Sequence, residues 1–250
     1  MHSIESVRAR SSLFCKNRDW QQFHTPTNLG LAMVGEVGEV CEQLQWRHKS
    51  PDYASEELVA IGEELSDVFI YATRLCDVCN LDLAKCVDHF IRGQSLDTLS
   101  DMRPSSAGGG EWADLRLDFI ASALQLEQTN PRFFCLKLAA QSGLVSESFA
   151  AKLECQGGLQ DWSTGELASL SFNIASIIVI LASLAKLLGI DLAEALAAKM
   201  TKNEIKYPAD RSRGSSAKYT KYAATKNRWQ STLFYASILI VGIVLGRHVK

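Results

Sequence analysis

This 250-residue chain reads as an all-α protein, on three observations. Apolar residues recur every three or four positions over long stretches, β-branched alternation is scarce, and only five prolines interrupt the pattern. With 47% hydrophobic and 22% charged residues the chain can bury a core, which excludes general disorder and leaves room for one large domain or two small ones. A formal net charge of -2 exerts no global pull on polyanions, so no nucleic-acid partner is expected. Seven cysteines is an odd number, and the opening MHSIESVRAR lacks the apolar stretch of a secretory signal. Both point to reduced thiols facing the cytosol or a similar compartment, and Glu5 argues against a mitochondrial transit peptide.

The elements follow in order. Residues 27 to 47 carry an apolar stripe of Leu29, Met33, Val37, Val40 and Leu44, with Thr27 or Asn28 placed to cap the helix. Residues 55 to 79 repeat the pattern through Leu58, Ile61, Leu65, Val68, Ala72, Leu75 and Cys79, with Ser55 as the expected cap and Glu56 and Glu57 in the first turn. A shorter helix begins near Asp82 and fades around Gln94. Residues 100 to 111, with a proline and three consecutive glycines, read as a flexible linker between a domain at 1–99 and one at 112–208. Beyond it helices are expected at 114–127, 131–154, 164–188 and 191–206, the last halted at Tyr207 and Pro208. CNLDLAKCVDHFIRGQ at 79–94 lies on LGIDLAEALAAKMTKN at 188–203 without a gap, so the halves read as two tandem repeats of one unit.

Residues 209–228 are rich in Lys and Arg, and 229–247 read as a C-terminal transmembrane helix. From Ser231 to Gly246 no residue is charged, Trp229 and Arg228 precede the run, and Arg247, His248 and Lys250 follow it. The expectation is a single-pass tail anchor with the bulk of the chain facing the cytosol. From Lys199 to Arg228 basic residues far outnumber acidic ones, which suits polyphosphate contacts or anionic lipid.

Chemistry is concentrated in Glu36-Val-Gly-Glu39 on the first of these helices and Glu64-Leu-Ser-Asp67 on the second. Acids three apart share a helical face, and antiparallel packing through the apolar stripes would gather all four at one edge. The run LGLAMVGEVGEVCEQLQW sets two of them inside hydrophobic surroundings, where unpaired charge is costly. Mg²⁺ answers that need, since it takes hard oxygen ligands and is shared between carboxylates and substrate phosphates. A second pattern, Cys76-x-x-Cys79 with Cys86-x-x-His89, has zinc-ligand spacing, but it falls on and beside the apolar stripes where thiols pack as core.

RDWQQFHTPTNLGLAMVGEVGEVCEQLQWR, then EELSDVFIYATRL and NLDL, resembles the signature of the MazG-like nucleotide pyrophosphohydrolases over residues 14 to 91, and most resembles their dCTP pyrophosphatase branch. The resemblance implies a MazG-like helical bundle that binds Mg²⁺ through Glu36, Glu39, Glu64 and Asp67. Glu63 or Glu64 would assist a water that attacks the α-phosphorus of dCTP or a related dNTP, releasing monophosphate and pyrophosphate. It implies that His24, Asn28 and Trp46 lie near the base and that Tyr71 reaches a phosphate. Because such enzymes assemble sites between subunits, it also implies a homo-oligomer.

The chain departs from that family in one respect. The family's K-M-x-x-N-x-x-x-Y-P string, with its Lys and Asn, is missing from the first half, where Phe90 and Gln94 stand at the matching places. It occurs instead in the second half as Lys199, Asn203, Tyr207 and Pro208. Conversely, the second half offers Gln141, Leu144, Asn173 and Ser176 where the four acids should be, and these make no magnesium cage. The two repeats are therefore expected to pack as a pseudo-dimer with one composite site. A non-catalytic nucleotide-binding or membrane scaffold protein derived from the family is the alternative.

Overall fold

The computed structural model describes residues 3–46, 53–104, 116–123, 129–150, 152, 159 and 161–215. Among them all extended regular structure is helical: α1 Ile4–Arg18, α2 Pro26–Leu44, α3 Ser55–Val78, α4 Leu83–Ile91, α5 Leu99–Met102, α6 Leu117–Ala123, α7 Pro131–Ala150, α8 Thr164–Leu188, α9 Leu192–Lys206 and α10 Ala209–Ser212. The one β-type contact in this set is an isolated bridge between Ser3 and Arg116.

Local chemistry sets the helix starts. The Thr25 side chain accepts the Asn28 N–H and Pro26 takes the first helical position, so α2 is capped by Thr25 rather than by Thr27 or Asn28. The apolar stripe begins only at Leu29, which hides the polar first turn from a periodicity reading. In α3 the Glu57 carboxylate accepts the Ala54 N–H at 2.9 Å, making Ser55 the first helical residue instead of the cap. α1 is a helix that periodicity did not mark. Its buried residues are Ile4, Val7, Ser11, Cys15 and Arg18, a helical spacing in which polar side chains occupy part of the buried face. The expected linker contains α5 at its start, and residues 105–115 lie outside the described set.

Four long helices form the centre: α2 packs on α3, α7 on α2 and α8, and α3 on α8. Gly30 early in α2 faces Phe149 late in α7, while Cys41 late in α2 donates toward the carbonyl of Cys135 early in α7, so these two run antiparallel. The shorter helices cross between halves, with α4 lying on α8 and α9 on α3.

The turns that launch α4 and α9 are built alike. After α3, the Asn80 N–H donates to the Asp77 carbonyl and the Leu81 N–H to that of Cys76; after α8, Gly189 donates to Lys186 and Ile190 to Ala185. Asn80 and Gly189 both take positive φ, 53° and 69°, where glycine is strain-free and asparagine is tolerated. Asp82 and Asp191 then cap the next helices by accepting the N–H groups of Lys85 and Glu194.

α8 is the one described helix long and apolar enough to cross a membrane, and 72% of its most apolar stretch is buried inside the protein. Its surroundings are α3, α4, α6 and α7, so its all-round hydrophobicity is that of a central core helix. The expected tail anchor at 229–247 lies outside the described residues. Cys76, Cys79 and Cys86 are buried among apolar side chains, and His89 Nδ1 faces the Ser95 carbonyl. Among the described residues these four form no metal-ligating group, so the zinc spacing belongs to the core.

Gly62 fixes how closely α9 approaches α3, because a Cβ there would lie 3.3 Å from Ala195 Cβ and 3.4 Å from Ile190 Cγ2. Gly62→Leu is expected to wedge the two helices apart and to cost about 1–3 kcal/mol, as overpacked cores do. Thermal melts monitored by circular dichroism check this, and an unchanged Tm would contradict it.

Candidate active site

The site grows from three helix faces. On α2, Glu36 sits beside the buried Val37 and Val40; on α3, Glu64 and Asp67 flank the buried Leu65 and Val68. All three carboxylates are half-buried, and one oxygen from each lies within 4.8 Å of the others. Glu39 is exposed and stands outside this group.

Crowding and burial perturb these acids together. Burial first, and then the charges of Asp67, Glu39 and Glu64, push Glu36 from its ordinary 4.5 up to about 7. Burial likewise raises Glu64 and Asp67, against the opposing pull of Lys199. Such a cluster needs a cation, and hard carboxylate oxygens at this separation fit a small divalent ion.

The second half supplies one cation itself. Lys199, 7% exposed on the inner face of α9, places Nζ 2.7 Å from Asp67 Oδ2 and 3.9 Å from both Glu63 Oε2 and Glu64 Oε2. Burial works against its charge, but Asp67, Glu64 and Glu63 more than offset this and its pKa is raised. The Asn203 side chain also donates to Asp67, and Lys202 pairs with Glu63.

From this acidic end a cavity of about 140 Å³ runs along α3, past Tyr71 and Arg74, toward Phe14, Cys15, Trp20, His24 and Tyr207. Tyr71 is raised by burial and by Glu36 and Asp67, so it stays a phenol and a donor. His24 is lowered to about 4 by burial and by the Arg74 charge, so it is neutral at physiological pH; its Nδ1 lies 3.5 Å from Cys15 Sγ. Trp20 meets Tyr207 and Phe14 edge-on, with centroids at 5.2 and 5.6 Å. α1 staples that aromatic end to the C-terminal segment: Arg18 Nε donates to the Tyr207 carbonyl at 2.7 Å, and Trp20 Nε1 to that of Ser212 at 3.0 Å.

Of the residues singled out from sequence, Glu36, Asp67, His24, Tyr71, Asn203 and Tyr207 line this cavity, and Glu63, Glu64 and Lys199 border it. Asn28 is exposed and instead donates to the Phe23 carbonyl at the start of α2. Trp46 is 82% exposed past the end of α2 and does not line the cavity within one chain. Phe14, Cys15, Trp20 and Arg74 were not singled out. The helical spacing Asp67, Tyr71, Arg74 is the signal that could have found Arg74.

The register that lays 79–94 on 188–203, continued back along α3 and α8, pairs Lys199 with Phe90 and Glu63 with Phe172. Those two phenylalanines pack with centroids 4.9 Å apart beside Gln94, Leu144 and Asn173, in a broader groove of about 870 Å³. Where one side of the molecule places an ion pair between halves, the other places an aromatic pair.

Fold and site thus define a class: an all-helical protein that gathers carboxylates from paired helices against a lysine, next to an aromatic-lined cavity. Residues 156–221 match the MazG-like family model, which extends the likeness into the half bearing Lys199 and Asn203. Over this segment the chain is similar to the MazG-like family. It is 43% identical over 89 residues to dCTP pyrophosphatase 1 of Rattus norvegicus and 44% over 89 residues to that of Homo sapiens, in each case 34% of this chain and 52% of the relative. The Bos taurus protein of that name is 42% identical over 92 residues, 34% of this chain and 53% of its own length. The chain therefore spans about half the length of these curated relatives. No solved structure gives a significant match.

A raised carboxylate binds protons more tightly in the folded than in the unfolded state. The stability this confers without metal is therefore present below 4.5 and lost as pH rises through about 7. Metal-free protein in EDTA is expected to lose Tm between pH 5.5 and 8, and Glu36→Gln to lose much less. Equal losses in the two proteins would refute this account of the cluster.

Proposed function

We propose that the chain is a nucleoside triphosphate pyrophosphohydrolase that converts dCTP, or a related modified pyrimidine dNTP, to the monophosphate and pyrophosphate. The observation that carries this is the meeting of Glu36, Glu64 and Asp67 with Lys199 from the other half of the chain, 2.7 Å from Asp67. The likeness to proteins named dCTP pyrophosphatase 1 supports the choice of substrate.

Mg²⁺ is the proposed metal, held by Glu36, Glu64 and Asp67 with Glu39 at the rim; when bound it neutralises phosphate charge and acidifies a coordinated water. Lys199 and Asn203 orient the phosphate chain, and Tyr71 donates to a phosphate oxygen. Lys202 and Lys206 add positive charge at the same end. Glu64, whose basicity burial increases, is the better placed proton acceptor for the attacking water. Glu63 is already engaged by Lys202 and Lys199 and must release a lysine before it can act. His24, Trp20 and Tyr207 take the base, with the rings supplying apolar contact.

The exchange of α4 and α9 between halves, together with the two matching turns, supports reading the chain as a duplicated unit packed as a pseudo-dimer. Such a chain holds one composite site, the other cleft having lost its acids. Association into a homo-oligomer would cover the exposed Leu31, Val34 and Trp46 of α2 and its end. Membrane attachment through 229–247 stands on the charge-free run 231–246.

The test is pyrophosphate release by the full chain across natural NTPs and dNTPs and 5-methyl-dCTP, in Mg²⁺ or EDTA. Release led by dCTP and abolished by EDTA and by Glu64→Gln is expected. Lys199→Ala should lower kcat/KM by about 10²-fold, the scale seen when one preorganised charge-stabilising donor is lost. Full activity of Lys199→Ala would end the composite-site reading, and no release from any substrate would end the enzymatic one.

A further inference from the structure

The guanidinium of Arg74 is a buried charge at the cavity wall. It is only 5% exposed, it lines the 140 Å³ cavity, and its Nε has no hydrogen-bond partner in the protein. Its orientation is fixed from behind: Nη1 pairs with Asp77 Oδ2, while Asp77 Oδ1 takes Arg8 Nη1 at 3.1 Å. Arg8 in turn pairs with Glu5. Asp77 thus holds one edge of the fork and leaves Nε–H unused.

A buried charged donor without an acceptor is costly, and native interiors seldom leave one so. The groups around it answer only weakly: the Cys15 thiol shares a hydrogen bond with the Arg74 side chain. The Cys15 thiol lies beside Arg74 and is a weak acceptor, and His24, also in the cavity, already directs Nδ1 at that thiol. Asp67 lies seven residues before Arg74, about 10 Å along the helix axis, and is already engaged by Lys199 and Asn203. A ligand that brings a carbonyl oxygen into the cavity would supply the missing acceptor.

Position decides which part of the ligand. Phosphates belong at the far end, where the acids, Lys199 and Lys202 gather. Arg74 instead lies among Phe14, Trp20 and Tyr207, the surface suited to a flat ring. A cavity of about 140 Å³ is well below the roughly 300–1,000 Å³ of a drug-sized site and suits one ring better than a fused pair.

We propose that Arg74 is the base-reading residue of this site, donating its Nε–H to the C2 carbonyl oxygen common to the pyrimidine bases. The proposal deepens the pyrophosphohydrolase reading, because it names the feature of the substrate that Arg74 selects. A site built to donate to a carbonyl rejects ligands that cannot accept, because its buried donor is then left unpaired.

The test uses equilibrium binding of monophosphates to the full chain, so that it does not depend on turnover. Titration calorimetry would compare dCMP with 2-thio-dCMP, the same ring with a poorly accepting sulfur at C2, on the wild type, Arg74→Met and Arg74→Lys. The wild type is expected to prefer dCMP by roughly tenfold or more, the scale of one hydrogen bond to a charged group. Both variants should bring the ratio close to one while leaving the affinity for inorganic pyrophosphate with Mg²⁺ unchanged. The coupling between the changes in protein and ligand isolates the contact even if a variant is less stable. No discrimination by the wild type, or no dCMP binding at all, overturns the proposal. So does an undiminished ratio in Arg74→Met, or an equal loss of pyrophosphate affinity, which would make Arg74 a phosphate ligand. If discrimination holds but no triphosphate is hydrolysed, the enzymatic reading fails and the Arg74 contact stands.

Discussion

The contact between α9 and α3 is what the rest of the molecule is arranged around. Three carboxylates on apolar helix faces repel one another, and the only buried lysine among the described residues, Lys199, reaches them from the opposite half of the chain. Neither partner is comfortable alone: Lys199 without Asp67 would be an unpaired buried cation, and the acids without Lys199 would crowd further. Gly62 makes the meeting possible by removing the side chain that would hold α9 away. Arg10 adds a second tie at the surface, donating to Glu204 and Thr201 at 3.0 Å each. The charge cluster is thus also a joint between the two halves.

That joint has a counterpart with different chemistry. Where Lys199 reaches across to Glu63, Phe90 reaches across to Phe172. Replacing a desolvated ion pair by an apolar contact commonly leaves stability unchanged or improved, because the desolvation penalty of two charges disappears. One side can therefore give up its acids and still hold the halves together. The positions that match the four acids hold Gln141, Leu144, Asn173 and Ser176 there, and no Lys or Arg stands among the described residues that line that groove. A molecule of this design keeps strained charges on one side only, and the aromatic pair secures the other.

How much of this was legible in the sequence depended on whether polarity and burial agreed. α2, α3, α8 and α9 follow the apolar period closely, and their limits fall within a few residues of those expected. α1 escaped because Ser11 and Arg18 occupy part of its buried face, and Arg18 is satisfied by the Tyr207 and Phe14 carbonyls, partners that no local pattern reveals. The carboxylates were legible because acids inside hydrophobic runs are conspicuous. Their convergence with Lys199 followed from comparing the halves. Trp46, which the family resemblance placed near the base, is exposed, whereas Trp20, which the sequence reading did not single out, lines the cavity. Arg74 was passed over because an arginine late in a helix ordinarily reads as a solvated cation near the C-terminal dipole.

Hydropathy met its limit in α8. Composition alone cannot separate a spanning helix from one enclosed by protein, since both present apolar residues all round. What separates them here is the neighbourhood: α3, α4, α6 and α7 each cover a sector of α8, and the small or polar Ser171, Ser176 and Ser183 are buried within it. Ser183 donates back to the Val179 carbonyl at 2.8 Å, satisfying a hydroxyl that the core could not otherwise accommodate. α8 also carries Phe172 at its third turn and the Schellman turn that launches α9 at its end. Among the described residues, the helix most like a membrane span is therefore also the one whose C-terminal turn launches α9 and so sets where Lys199 stands.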